Sequence, residues 1–261
     1  MTCDVVDIWL IRSDLPAPVL ADLSAVLDDA ERSRADGFGH ALHRRRFIAV
    51  HGAARVIIGQ HLGVPPARIR WRRGPHGKPE VAAPPEPASP PAAGSPFADT
   101  PARAGVHISL SHSGELAALA ITGWRRVGVD VQQFPAGGYA VRVAQRFYSP
   151  AEARYIATAG PAAQLSRFVA LWARKEACVK VTGGRLMEGM KLPVGESGRV
   201  VVRDPGGPLP GPYLVRNLRV PRGFRAAVAL EGADPYQVSQ HIWPPPNPGP
   251  PPGMLPIGDR G

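Results

Sequence analysis

The chain has little cysteine: Cys3 and Cys178 are the only two in 261 residues. They build no disulfide framework, which points to a reducing compartment. Long apolar runs are also missing. Nothing approaches the roughly 20 residues that cross a bilayer as a helix. The opening residues, Met1-Thr2-Cys3-Asp4-Val5-Val6-Asp7, lack the basic stretch of a secretory signal. The expectation is therefore a soluble, cytoplasmic protein without a membrane partner. No internal repeat of solenoid period is visible. A helix-turn-helix signature, a zinc-ligand spacing and an aromatic stacking platform are absent as well, which argues against a nucleic-acid partner.

Apolar residues make up 44% of the chain, an ordinary share for a globular fold with a real core. Proline is abundant, with 31 residues, and so is positive charge, with 31 Lys and Arg against 21 Asp and Glu for a net +10. Such a balance attracts polyanions: nucleic acid, anionic membrane, phosphorylated small molecules or acidic proteins. It also suits a plain arginine-rich soluble surface.

Residues 4–12 alternate weakly around Val6, Ile8 and Leu10, as a first strand would. Leu20, Leu23 and Leu27 give part of 16–36 a helical spacing. A stronger helix is expected over 40–62, with Phe47, Val50, Ala54, Ile57 and His61 on one stripe and Gly63 then Pro65-Pro66 as its stop. A short strand Ile69-Arg70-Trp71 runs into Gly77-Lys78-Pro79. Residues 84–105 are mostly Pro, Ala, Gly and Ser, too poor in apolar surface to offset their ordering entropy, and read as a flexible insertion. A hairpin is expected over 106–122, a strand over 127–131, helices over 150–158 and 161–182, and antiparallel strands over 199–203, 213–219 and 224–230. From Asp234 the sequence reads as an extended or disordered Pro-rich tail.

Five groups of residues could carry chemistry. In Val127-Gly128-Val129-Asp130-Val131-Gln132 the valines share one strand face, and Gly128, Asp130 and Gln132 share the other. Asp130 is then either a buried carboxylate in need of a partner or metal, or a turn cap at a strand end. In Trp172-Ala173-Arg174-Lys175-Glu176-Ala177-Cys178-Val179-Lys180, Trp172, Glu176 and Lys180 follow at i+4 steps. Glu176 and Lys180 are either a surface pair worth roughly 0.2–0.5 kcal/mol, or charges that continue an apolar stripe into a cleft. Ser109-Leu110-Ser111-His112-Ser113-Gly114 is either a phosphate-contacting turn or a plain Ser-rich one. Lys78 sits on a rigid turn. The helix start His43-Arg44-Arg45-Arg46, with Arg55 further along, is either an anion contact or a solvated cationic face.

The order and gaps of these groups resemble the phosphopantetheinyl transferases of the surfactin-synthetase-activating type. That family carries Gly-Lys-Pro, Ser-His-Ser, Gly-(Val/Ile)-Asp-(Val/Ile)-Glu and Trp-x-x-Lys-Glu-Ala/Ser-x-x-Lys. Here these stand as Gly77-Lys78-Pro79, Ser111-His112-Ser113, Gly128-Val129-Asp130-Val131-Gln132 and the 172–180 segment. Arg146-Phe147-Tyr148-Ser149-Pro150-Ala151-Glu152 is similar to a further family motif. The likeness covers about residues 5–232.

The resemblance implies an α/β (α+β) fold of two similar halves in a pseudo-twofold arrangement, with the active site in the cleft between them. The halves would be 1–123, holding the insertion 84–105, and 124–233, before the tail 234–261. It implies a monomer that moves the phosphopantetheine arm of coenzyme A to a serine of an acidic acyl, polyketide or peptidyl carrier protein, with magnesium. It assigns Asp130, Glu176 and Lys180 to catalysis. It assigns Asp130, Glu176 and Gln132 to the metal, Gln132 standing where the family has glutamate. It gives Arg44, Arg46, Arg55, Lys78, Ser111, His112, Lys175 and Lys180 to coenzyme A. Because Gln132 brings no charge, two carboxylates, not three, are expected on the metal. A carrier-binding relative without activity is the alternative that Gln132 raises.

Overall fold

The computed structural model describes residues 4–74, 77–82, 106–135, 139–195 and 199–244. Strand β1 (Asp4–Arg12) leads to α1 (Ala17–Ala25), α2 (Asp29–Asp36) and α3 (Ala41–Leu62). A 3-10 turn at Pro66–Arg68 precedes the small hairpin β2 (Trp71–Arg73) and β3 (Pro79–Val81). The hairpin β4 (His107–Ser113) and β5 (Leu116–Thr122) closes the first half. Strand β6 (Val127–Gln133) opens the second half. It is followed by α4 (Ala140–Phe147), α5 (Pro150–Ala157), α6 (Pro161–Thr182), α7 (Leu186–Gly189), β7 (Arg199–Val202), β8 (Tyr213–Asn217), β9 (Phe224–Glu231) and β10 (Tyr236–Trp243).

The two halves share a connectivity. In the first, β1 is followed by the 22-residue α3 and then the β4–β5 hairpin, whose second strand lies antiparallel beside β1. In the second, β6 is followed by the 22-residue α6 and then the β8–β9 hairpin, whose second strand lies antiparallel beside β6. Gly63 and Gly183 end the two long helices in the left-handed region, at φ 66° and 73°. A side chain there would be strained, so both stops are written in the sequence.

Each half builds a four-stranded sheet, ordered β10-β1-β5-β4 and β6-β9-β8-β7. The inner faces pack on each other through Val6, Ile8, Ala118, Val129, Val131 and Val228. The outer faces are covered by α3, through Ala53, Ile57 and Ile58, and by α6, through Val169, Ala173 and Ala177. Strand β1 is thus buried on both sides, which is why its apolar alternation is weak.

The expectation of an extended or disordered tail over 234–261 fails at its beginning. Residues 236–243 form β10, parallel to β1 from Asp4↔Tyr236 to Ile11↔Trp243. Tyr236 is buried in the inter-sheet core and Val238 packs beside it. The final strand therefore returns from the second half to complete the sheet of the first. The insertion at 84–105 lies outside the described residues.

Candidate functional site

The site begins with a glycine. Gly128 faces α6, and a methyl on it would overlap the Ala177 carbonyl and stand 2.7 Å from the Val181 amide nitrogen. The missing side chain lets the helix descend onto the strand. Asp130, two residues on, shares that face. Glu176 and Lys180 flank the contact on α6, so close packing at Gly128 delivers both to Asp130. Lys180 Nζ lies 2.6 Å from Asp130 Oδ1. The carboxylate is 4% exposed, and its Oδ2 is buried without a hydrogen-bond partner. Glu176 is half-buried. Burial raises its pKa; nearby Lys180 pulls it down and the Asp130 charge pushes it up, with a rise as the net result.

The edges of the two sheets meet along β4 and β6. Ser109, Ser111 and Ser113 alternate along β4 and accept hydrogen bonds from the amides of Val129 (3.0 Å), Val131 (3.4 Å) and Gln133 (3.0 Å). The serine periodicity is thus the seam between the halves. Ser111 adds contacts within the site: its Oγ donates to Asp130 Oδ1 at 2.7 Å and accepts from Lys180 Nζ at 2.9 Å.

Beside this cluster a cleft of about 240 Å³ runs between the halves, lined by Lys78, Ser109, Leu110, Glu176, Lys180 and Gly183 among others. Lys78 comes from the first half and donates to the carbonyls of Val127 (2.9 Å), Lys180 (2.5 Å) and Val181 (3.4 Å). A cation at the C-terminal carbonyls of α6 is favoured by the helix dipole. Burial, with the charges of Arg126 and Lys180, outweighs the pull of Glu80 and lowers its pKa to about 8. His112 is exposed on the turn side of β4. Its pKa is lowered by loss of hydration and then by His51, Lys180, Arg34 and Arg46.

A second cavity, about 270 Å³, opens between α2, α3 and the β2–β3 hairpin. Phe47, His51 and Trp71 line it with Arg34, Arg72, Arg73, Gly77 and Pro79. His51 stacks on Phe47 with ring centroids 4.0 Å apart. Arg34, Arg72 and Arg73 carry no sequence signal as a group, because only the fold brings α2 and β2 to one mouth.

Two expected coenzyme A contacts have other places. Arg55 is wholly buried. Its guanidinium holds Glu31 at 2.5 Å, Asp28, and the carbonyls of Pro66 (3.2 Å) and Ile69 (3.0 Å). It binds α3 to the start of α2 and leaves no face for a ligand. Lys175 is equally buried, 2.8 Å from Glu152, bonded to the Leu192 carbonyl, and 4.6 Å above the Tyr148 ring. Both corrections have one cause: successive positions on a helix are turned about 100° from one another, and these two side chains fall on the side that faces the core. Arg44 is exposed and paired with Asp36 at 3.0 Å. Arg46 is half-buried, 4.0 Å from Glu115, with its Nε unpartnered.

Gln132 lines a third pocket of about 200 Å³ with Pro135, Tyr139, Val143, Phe168, Val169 and Trp172. Among the described residues no group of three or more His, Cys, Asp or Glu could hold a metal. The donors at the site are two carboxylates. The orphaned Oδ2 of Asp130 and the raised pKa of Glu176 both fit a divalent cation, which would supply the missing partner and relieve the repulsion.

The 4'-phosphopantetheinyl transferase superfamily model matches residues 126–208, the stretch from the start of β6 through α6 to the loop after β7. The chain is 33% identical over 180 residues to the 4'-phosphopantetheinyl transferase HetI of Nostoc sp., covering 69% of each chain. It is 28% identical over 171 residues to a 4'-phosphopantetheinyl transferase of Bacillus subtilis, covering 62% of this chain and 64% of that one. It is 30% identical over 192 residues to a phosphopantetheinyl transferase of Thraustochytrium sp., covering 68% and 61%. Likeness of that extent, joined to Asp130, Glu176 and Lys180 gathered over Gly128, means that the chain belongs to the 4'-phosphopantetheinyl transferase superfamily.

Proposed function

We propose that this transferase moves the 4'-phosphopantetheine arm of coenzyme A to a serine hydroxyl of an apo carrier protein, with magnesium, and releases adenosine 3',5'-bisphosphate. The observation that carries the reading is the convergence of Asp130, Glu176 and Lys180 in the cleft between the halves. Asp130, through Oδ2, and Glu176 would hold the metal. Magnesium, when bound, neutralises charge on the pyrophosphate oxygens.

The chain's own residues do the rest. Glu176, directly or through a water, takes the proton of the serine hydroxyl. The serine oxygen bonds to the β-phosphorus, and the bond from that phosphorus to the bridging oxygen breaks. Lys180 donates to the departing phosphate. Arg34, Arg72 and Arg73 suit the phosphorylated nucleotide end at the mouth of the 270 Å³ cavity, whose aromatic walls suit a flat base. Arg142 and Arg146, exposed on α4, suit an acidic carrier beside the pocket of Tyr139 and Trp172.

Asp130→Ala tests the reading. The variant is expected to melt cooperatively and to transfer nothing at any magnesium concentration. Transfer at the wild-type rate would refute the assignment.

A further inference from the structure

Ser111 has no capacity left for a substrate. A hydroxyl offers one proton and two lone pairs. The Val131 amide and the Lys180 ammonium can only donate, and both point at Ser111 Oγ, at 3.4 and 2.9 Å. The lone pairs are thus filled, and the proton is left for Asp130 Oδ1, at 2.7 Å. Ser111 is 7% exposed, consistent with a group turned inward. Its neighbours on the strand lack these links: Ser109 and Ser113 make the same amide contacts with β6.

From this we infer that Ser111 is a positioning residue for the transfer rather than a phosphate contact. It fixes the rotation of the Asp130 carboxylate. Oδ1 receives two donors, Ser111 and Lys180, and Oδ2 is left as the one oxygen free to face a cation. It also holds the Lys180 ammonium beside Asp130 until an anion enters the cleft. The inference rests on the magnesium site proposed above.

The experiment compares wild type, Ser111→Ala and Ser113→Ala in the full chain. Magnesium alone is titrated calorimetrically, and the KM for coenzyme A is measured separately at saturating magnesium. Loss of an outer partner of a metal-ligating carboxylate lowers metal affinity roughly 10- to 100-fold. Ser111→Ala should show that loss with KM for coenzyme A near wild type. Ser113→Ala, which removes an equivalent seam contact, should keep wild-type magnesium affinity. A raised KM for coenzyme A with unchanged magnesium affinity in Ser111→Ala would overturn the inference and restore the phosphate contact. Equal magnesium losses in both variants would overturn it too, by assigning the effect to the seam. Failure of the wild type itself to bind magnesium would instead overturn the metal site on which the inference rests.

Discussion

Lys180 and Asp130 stand 2.6 Å apart across the contact between α6 and β6, with Ser111 bonded to both. The pair is held by a feature with no charge: Gly128, the point at which the helix rests on the strand. Catalytic geometry and core packing therefore share one residue.

Gly128→Ala should be costly twice. Overpacking at such a contact destabilises by about 1–3 kcal/mol. Because the relief available is a lift of α6 from β6, transfer should fall further than the loss of folded protein explains. Denaturation curves and single-turnover rates on the same sample check this. A destabilised variant with a wild-type rate would separate the packing from the chemistry.

Lys78 gives the reaction a pH dependence. Its pKa is lowered to about 8, so the ammonium is present below that pH and lost above it. Positive charge in the cleft favours an anionic donor. The KM for coenzyme A should therefore rise as pH rises through about 8, and the rise should vanish from this range in Lys78→Arg. A wild-type KM flat from pH 7 to 9 contradicts this role.

Glu31 should dominate the acid sensitivity of the first half. It accepts from Arg55 (2.5 Å), His51 (3.0 Å) and Trp71 (2.8 Å). Burial alone would raise its pKa, but His51 and Arg55 outweigh it, and the value lies below the ordinary 4.5. A lowered carboxylate contributes stability in full above its unfolded pKa and loses it as pH falls through the folded one. Glu31→Gln should cost on the order of 3 kcal/mol at pH 7, since it leaves buried Arg55 undercompensated. The gap to wild type should close towards pH 3, read by denaturant titration. A gap independent of pH would assign the effect to packing.

Much of this architecture is legible in the sequence because it is local. The valine alternation of 127–131 marks β6, and the glycines at 63 and 183 mark the ends of α3 and α6. The pairing of Asp130 with Glu176 and Lys180 is legible only through the family pattern; alone, each has a bland reading as a cap or a surface pair. What escapes is set by distant partners. Arg55 reads as a surface charge until Asp28 and Glu31, 27 and 24 residues away, enclose it. Lys175 depends in the same way on Glu152, which also caps the start of α5 through Ser149. Strand β10 escapes because prolines follow it closely, while its reason for being a strand is the open edge of β1.

Transfer itself is read by intact-mass spectrometry of several apo carrier proteins after incubation with this chain, coenzyme A and magnesium. At least one carrier should gain a single phosphopantetheine on a serine, and chelating the magnesium should prevent the gain. Folded protein that modifies none of the carriers would contradict the proposed transfer.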